Sequence, residues 1–174
     1  RPAGYLTFLA GLGDLAQANA ALAALRARTG EAITAWEVFI ATSAALLRDE
    51  GPGMALPLAQ PHPWYLLGEL SLFGTVASRQ DGALEDIATV LDDLGCADVI
   101  LATSGAQRQG LWALRESISE AERACGPSLK HDISVRPSRI AALAQRLEAE
   151  CTRLHPDLRM NIFGHVGDGN LHVN

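Results

Sequence analysis

Four segments of the chain carry apolar residues at every third or fourth position, which is the spacing of a helix with one buried face. Helix start and stop signals support them, such as Asp14 as an N-cap and Gly30 as a stop. The pattern predicts helices over residues 14–29, 81–94, 107–124 and 137–154, and a shorter one over 41–49. The expected buried positions are Leu15, Leu22 and Leu25; Leu84, Ile87, Leu91 and Leu94; Leu111, Leu114 and Ile118; and Ile140, Leu143, Leu147, Cys151 and Leu154.

The runs between these helices are short, apolar or alternating, which is typical of strands. They cover residues 5–10, 33–40, 64–73, 98–103, 131–135 and 159–164, and the proline-rich residues 51–63 form an extended connection between two halves. Strands of mixed polarity favour an antiparallel sheet with helices on one face over a parallel sheet buried on both. We therefore predict an α+β, ferredoxin-like fold in which the chain would form two related halves.

Composition narrows the classes of partner. The 174 residues are 48% hydrophobic and 20% charged, which suits one globular domain. A net charge of −6 argues against binding through nucleic-acid phosphates, and an aromatic content of 5% gives no stacking surface for single strands. We therefore expect no nucleic-acid partner.

The three cysteines, Cys96, Cys125 and Cys151, are far apart and form no CxxC pair, so neither a disulfide framework nor a zinc knuckle is predicted. No apolar run approaches the roughly 20 residues of a membrane span, and no signal peptide is evident. These features predict a cytoplasmic protein. The chain starts at Arg1 and stops at Asn174 inside its most unusual motif, so we expect it to be a piece of a longer protein.

That motif, residues 161–174, holds two histidines, three glycines and an aspartate. The glycines, with Asp168, suit a tight turn, so the segment is predicted to be a strand, a turn and a return strand. His165 and His172 flank the turn, and such a bend would aim both imidazoles at one point. Imidazole is a common zinc ligand, although a catalytic site also needs a further ligand, usually a carboxylate, and an open position.

Each of these residues also has a purely structural alternative. The two histidines could simply be sheet residues, but their pairing favours a joint function. Asp168 is explained by the turn alone. The order Gly-x-x-Gly-x-Gly is not a dinucleotide fingerprint, so nucleotide binding by this segment is not expected.

A second group of candidates is cationic. Arg115 lies beside the apolar stripe of the third predicted helix, where an unpaired guanidinium would be costly to bury, so it needs an anionic partner. A substrate carboxylate would serve, with Lys130 as a second charge and Ser119, one helical turn along, as a hydroxyl donor. The alternative is an ion pair of Arg115 with Glu116, Glu122 or Asp132.

The sequence Phe-Gly-His-Val-Gly-Asp-Gly-Asn-Leu-His-Val-Asn, preceded by Lys-x-Asp-Ile-Ser-Val and an Arg-Glu helix, resembles the C-terminal domain of FAD-linked oxidases of the D-lactate dehydrogenase, glycolate oxidase and D-2-hydroxyglutarate dehydrogenase type. The first half resembles the family more loosely, through Glu37-Val-Phe-Ile and Pro63-Trp-Tyr-Leu-Leu-Gly-Glu69. In that family an N-terminal domain binds FAD, and the ferredoxin-like C-terminal domain covers the flavin ring and supplies much of the substrate site.

The resemblance implies roles for particular residues. His165 and His172 would be ligands of a divalent metal such as zinc, and either would lie close to the substrate hydroxyl. Arg115 and Lys130 would hold the substrate carboxylate. Ser119 and Asn174 would add polar contacts, and the FAD-binding residues are unknown. The resemblance thus implies an FAD-dependent oxidation of a small 2-hydroxy acid, without showing which acid.

The chain also departs from the family pattern. Val135-Arg136-Pro137 displaces the usual proline by one residue, which puts the local turn in doubt. The family's Glu-His-Gly segment and its FAD domain would lie outside this chain, so alone it would be inactive and its partner would be the FAD domain of the same protein. Two other functions stay open, a non-catalytic module that binds a small molecule or a metal, and an interaction domain that pairs through strand edges. Peripheral membrane association of the full-length protein also stays open.

Overall fold

The computed structural model describes residues 4–51, 53–72, 76–96 and 98–174. The strands are β1 Gly4–Leu12, β2 Ile33–Ile40, β3 Trp64–Leu72, β4 Val99–Leu101, β5 His131–Ser134, β6 Ile162–His165 and β7 Asn170–Val173. The helices are α1 Leu15–Thr29, α2 Ala41–Asp49, α3 Val76–Asp93, α4 Gly105–Ala124 and α5 Ile140–Leu154. Short 3-10 turns cover Gly30–Ala32, Pro137–Arg139 and Val166–Asp168.

The strands form one antiparallel sheet in the order β4-β1-β3-β2-β6-β7-β5. The first four follow the ferredoxin-like order 4-1-3-2, and β5, β7 and β6 repeat its 1-3-2 part. The two units join where β2 pairs with β6. The predicted α+β, antiparallel architecture is therefore confirmed. The two related units do not divide at residues 51–63 as predicted, because that connection joins α2 to β3 within the first unit.

Helices pack on both faces of this sheet rather than on one. α1, α3 and α5 cover the face that carries Phe8, Trp36 and Leu66. α2 and α4 cover the opposite face, which carries Phe39 and Leu67. The prediction of a single covered face is thus wrong for α2 and α4. The reason is visible in β3, whose nine residues are all buried because the strand is covered from both sides.

Most predicted elements are confirmed, with differences at their ends. Asp14 caps α1 through a capping box with Gln17, and β2 has the predicted bounds. Asp81 is not a helix start, because helix-compatible residues extend α3 back to Val76.

Other differences concern strand ends and exposure. The third strand was predicted to end at Phe73, which lies outside the described residues. β4 is shorter than predicted, and β6 starts at Ile162 rather than at residue 159. Leu154, predicted to be buried, is 65% exposed because α5 turns its last residue to solvent.

The extended connection is fastened to the sheet by a histidine and an aspartate. The Nε2 atom of His62 lies 2.8 Å from Oδ2 of Asp98, and Asp98 also accepts hydrogen bonds from the backbone N–H groups of Ala59 and Gln60. The His62 ring packs on Gly11, where a Cβ atom would lie only 2.1 Å from it. The bond from His62, together with the two backbone donors, holds the pKa of Asp98 below its usual range.

Replacing Asp98 by asparagine should therefore make the free energy of unfolding vary less with pH in the acid range. Because folding lowers the pKa of Asp98, its contribution is complete above the ordinary value of 3.8 and is lost as the pH falls through the lower folded value. At pH 7 the variant should lose about 1 kcal/mol of unfolding free energy, and the gap should narrow at lower pH. Denaturant unfolding at several pH values measures this, and a gap independent of pH would contradict it.

Cys96, Cys125 and Cys151 are all free thiols. Among the described residues, no helix combines the length and the hydropathy needed to cross a lipid bilayer.

Candidate functional site

α4 turns a polar stripe toward the sheet. Arg108, Trp112, Arg115, Ser119 and Glu122 recur at three- and four-residue spacing and therefore lie on one side of the helix. The adjoining positions Leu111, Leu114 and Ile118 are buried, as predicted, and dock the helix on the sheet. The polar stripe is thereby fixed above β3, β2, β6 and β7.

The centre of this face is Glu37, which is only 4% exposed. Strand alternation in β2 places its side chain on the α4 face, since its neighbours Trp36 and Val38 belong to the opposite core. One carboxylate oxygen, Oε2, accepts a hydrogen bond from Nε of Arg115 at 3.0 Å. The other, Oε1, lies 2.5 Å from Nδ1 of His165, the residue directly opposite Glu37 in the β2–β6 pairing.

This contact corrects the alternative considered for Arg115. Its partner is neither Glu116, Glu122 nor Asp132 but Glu37, which lies 78 positions away in the sequence. The guanidinium also lies over the ring of Phe163, with Cζ 4.9 Å from the ring centroid, a cation–π geometry. Arg115 is thus held along the sheet surface.

His172 lies next to His165, as the predicted strand–turn–strand requires. Their ring centroids are 6.4 Å apart, and the ring of Phe163 lies 5.0 Å from that of His172. Nδ1 of His172 lies 2.5 Å from Oδ1 of Asp132 on β5. Both imidazoles therefore meet a carboxylate at Nδ1, which leaves each Nε2 atom directed away from its carboxylate.

A second buried carboxylate, Glu122, holds two further candidates. Its Oε2 atom accepts hydrogen bonds from Nζ of Lys130 at 3.3 Å and from Nδ2 of Asn174 at 3.0 Å. Ser119 lies on α4 between Arg115 and Glu122, one turn from each, and is half-buried. The structure thus brings all six candidate residues to one face of the sheet.

The turn between the histidines is built as the glycines predict. Val166–Asp168 form a 3-10 turn, and Gly169 follows in the left-handed region with φ of +69°. A Cβ atom at Gly169 would lie 1.9 Å from the carbonyl oxygen of Val135, so only glycine fits. Asp168 is exposed in this turn, which agrees with a turn role rather than a ligand role.

A cleft of about 480 Å³ opens beside His165. It lies where β2 continues beyond its pairing with β6, and Glu37, Trp112, His165 and Asp168 are among the residues that line it. Small-molecule sites commonly have volumes of about 300–1,000 Å³. The imidazole of His165 therefore borders enough space for a small organic acid.

A neighbouring cluster also centres on a buried glutamate, but this glutamate contacts none of the six candidate residues. Glu69, on β3, accepts hydrogen bonds from Arg108 through Nε and Nη2, from Nε1 of Trp112 and from Oγ1 of Thr7, all at 2.7–2.9 Å. Burial raises the pKa of Glu69, but these hydrogen bonds outweigh it and hold the pKa below its usual range. Glu69 is therefore a satisfied buried anion.

The donor set fits part of a metal site. A ligand imidazole commonly donates its other ring nitrogen to a carboxylate, and both His165 and His172 have this arrangement. Two rings on one tetrahedral zinc ion, with Zn–N bonds of about 2.1 Å, would have centroids about 5 Å apart, so the 6.4 Å separation would have to close by about 1 Å. The described residues contain no group of three His, Cys, Asp or Glu suited to a metal ion. They provide two ligands of a possible four, and the zinc expectation is not supported beyond that.

Sequence reasoning missed the carboxylates that position the candidates. It singled out neither Glu37 nor Glu69 as site residues, and it considered Glu122 and Asp132 only as partners of Arg115. One signal was present, because Glu37 and Glu69 each stand in a strand with apolar neighbours. A carboxylate in such a strand needs a buried cationic or hydrogen-bonding partner.

Known proteins resemble the chain along most of its length. Residues 2–174 match the family described as FAD linked oxidases, C-terminal domain. A D-2-hydroxyglutarate dehydrogenase of Xanthomonas citri pv. viticola is 36% identical over 142 residues, which cover 82% of this chain and 29% of that protein. A D-2-hydroxyglutarate dehydrogenase of Stutzerimonas stutzeri is 34% identical over 143 residues, covering 82% of this chain and 30% of that protein.

A provisionally named mitochondrial D-lactate dehydrogenase of Schizosaccharomyces pombe is 30% identical over 162 residues, covering 86% of this chain and 30% of that protein. The chain thus spans about three tenths of the length of these relatives. With the family match over residues 2–174, the chain belongs to the family of FAD-linked oxidase C-terminal domains.

Proposed function

We propose that this chain is the substrate-side domain of an FAD-dependent dehydrogenase that oxidises a D-2-hydroxy acid to the 2-oxo acid. The FAD domain would be part of the same full-length protein, since the relatives are about three times longer than their matched segments. Relatives named for D-2-hydroxyglutarate make that acid the first to test, ahead of lactate and glycolate. No residue of this chain is assigned to FAD binding.

The observation that carries the proposal is the contrast between two arginines of α4. Arg108 is satisfied by Glu69 through both Nε and Nη2. Arg115 contacts Glu37 through Nε alone, and within the described part of the chain its two Nη atoms have no hydrogen-bond partner. A guanidinium with free donors, held on the same buried carboxylate as the imidazole that borders the cleft, suits a substrate carboxylate.

The chemistry divides between the substrate, the flavin and this domain. The hydroxyl proton passes to Nε2 of His165 while the C–H hydrogen leaves as hydride, so the substrate loses two electrons and becomes a 2-oxo acid. The bound flavin supplies the acceptor of that hydride. Glu37, on the other ring nitrogen, stabilises the charge that His165 gains.

The remaining candidates orient the acid. Arg115 and Lys130 would neutralise its negative charge, while Ser119 and Asn174 would offer hydrogen bonds. If a divalent ion is bound, Nε2 of His165 and of His172 would be its ligands from this chain, and the ion would lower the pKa of the substrate hydroxyl.

Anaerobic flavin absorbance of the full-length protein tests this function. The acids to add are D-2-hydroxyglutarate, D-lactate, glycolate and the L-forms of the first two. We expect at least one D-acid, or glycolate, to bleach the flavin. An acid that binds without bleaching the flavin would instead favour a non-catalytic binding module.

Replacing Arg115 by methionine should weaken binding of the acid about 100-fold, because two charge-assisted hydrogen bonds together contribute about 3 kcal/mol. Difference spectra of the oxidised flavin with the 2-oxo product acid, which has no hydride to give, measure the Kd. Arg108→Met is the matched control, since it removes the other arginine of the stripe and should leave the Kd unchanged. Equal losses of affinity in both variants would contradict the assignment of Arg115.

A further inference from the structure

Glu37 is the one carboxylate in the described structure that contacts both an arginine and an imidazole of the candidate site. Its two oxygens serve different partners, Oε2 for Nε of Arg115 and Oε1 for Nδ1 of His165. The side chain of Glu37 is 5% exposed, so water does not compete freely for either oxygen. A movement of this single carboxylate would therefore displace two candidate groups together.

The contact at Nδ1 decides which nitrogen of His165 carries a proton. Nδ1 and Oε1 lie 2.5 Å apart, too close for two facing lone pairs, and a carboxylate has no proton to donate, so we expect the proton of a neutral His165 ring on Nδ1. Nε2 then keeps its lone pair, which faces away from Glu37. This is the tautomer that accepts a proton or binds a metal ion.

The contact at Nε decides which edge of Arg115 is available. Nε donates to Glu37, and Cζ of the guanidinium lies 4.9 Å from the centroid of the Phe163 ring, so two contacts hold the group in place. Within the described residues neither Nη atom has a hydrogen-bond partner, so their N–H groups are free to bind an anion. The negative charge of Glu37 also offsets the positive charge of Arg115. The guanidinium is therefore stable beneath α4 before any substrate arrives.

We propose that Glu37 is the positioning residue of this site, which sets the tautomer of His165 and the orientation of Arg115 through one buried carboxylate. The inference rests on the proposed function, because it concerns the same two residues. Asp132 makes a similar contact with His172 but is 74% exposed, so its hold on that ring is weaker. Control by a buried carboxylate is thus specific to His165.

The test compares Glu37→Gln with wild type in the full-length protein. Glutamine keeps the size of the side chain, but its amide offers one acceptor oxygen where the carboxylate has two. We expect the rate constant of flavin reduction to fall about 30-fold and the Kd for the product acid to rise about tenfold, the range found when groups that orient ligands are removed.

Glu69→Gln is the matched control. Glu69 is buried to the same extent on the neighbouring strand and also pairs with an arginine of α4, but it contacts neither His165 nor Arg115. It should lower thermal stability as Glu37→Gln does while leaving the rate constant and the Kd within about twofold of wild type. Equal effects of the two variants on these constants would overturn the positioning role.

Double variants separate positioning from general damage. In a His165→Ala background, Glu37→Gln should change the rate constant by less than about twofold. In an Arg115→Met background, it should change the Kd by less than about twofold. The reason is that the effects of groups that act together are not additive. Full additivity in both backgrounds would overturn the proposal. If His165→Ala and Arg115→Met are themselves without effect, the proposed function fails, an outcome distinct from a silent Glu37→Gln alone.

A measurement on the wild-type protein reports the tautomer of His165 directly. Nitrogen-15 chemical shifts of selectively labelled histidine, assigned by the loss of one signal in His165→Ala, report which ring nitrogen is protonated. We expect the Nδ1-protonated form in the full-length wild type and a mixture of tautomers in Glu37→Gln. The Nε2-protonated form in wild type would overturn the proposal whatever the activities are.

Discussion

Replacing His165 by alanine in the full-length protein should lower the rate constant of flavin reduction by about 10³-fold, within the range of about 10²–10⁴ for loss of a positioned proton acceptor. The reason is that His165 borders the cleft and its Nδ1 atom contacts the buried carboxylate of Glu37. The fold should survive, since the His165 side chain is 48% exposed and alanine leaves Glu37 paired with Arg115. Stopped-flow absorbance under anaerobic conditions measures the rate constant directly.

His155→Ala is the control for this variant. His155 is an exposed histidine just beyond the end of α5 and has no contact with the candidate face. It should react at the wild-type rate. A fall of less than about threefold in His165→Ala would remove His165 from the chemistry, because loss of a general base costs far more.

Replacing Glu69 by alanine should have the largest effect on stability, a loss of about 3–4 kcal/mol in the free energy of unfolding. The change strips Arg108, Trp112 and Thr7 of their shared acceptor. This loss is near the lower end of the range for a broken buried ion pair, because the Arg108 side chain is 36% exposed and water can partly solvate it. Denaturant unfolding followed by the fluorescence of Trp112 and its neighbours measures the loss.

The pH dependence gives a second check on Glu69. Its folded pKa lies below the ordinary value of 4.5, so its contribution is complete above that value and is lost as the pH falls through the lower folded pKa. Glu120→Ala, which removes an exposed glutamate of α4, should change the unfolding free energy by no more than about 0.5 kcal/mol. If the two alanine variants are equally stable, the Glu69 cluster does not anchor α4.

Local patterns gave reliable predictions where the governing interactions are close in sequence. The capping box at Asp14, the bounds of β2 and the buried stripe of α4 depend on residues within a few positions of one another. The proximity of His165 and His172 followed from the glycine-rich turn between them for the same reason. The family resemblance named Arg115, Ser119, Lys130 and Asn174, and the structure places them on one face, while their roles remain predictions.

Predictions were weaker where several helices share one sheet. The mixed polarity of the strands suggested one covered face, yet α2 and α4 cover the second. The polar residues responsible, Thr7, Glu37 and Glu69, are buried beneath α4. The two glutamates accept hydrogen bonds from α4 side chains, and Thr7 donates to Glu69. A strand pattern records polarity but not whether a distant helix will satisfy it.

The sequence by itself determined the alternation of helices and strands, the turn that pairs the two histidines and the residues that could grip an anion, because each depends on local spacing and residue chemistry. Only the tertiary structure decided that Glu37 contacts both Arg115 and His165, that Glu122 contacts Lys130 and Asn174, and that Glu69 is a closed structural cluster. These partners lie far apart in the sequence, 78 positions in the case of Glu37 and Arg115, and β2, β6 and α4 meet only when the sheet is assembled. Burial then makes each of these contacts obligatory, because a carboxylate removed from water must find its counter-charge or hydrogen-bond donors in whatever element packs above it.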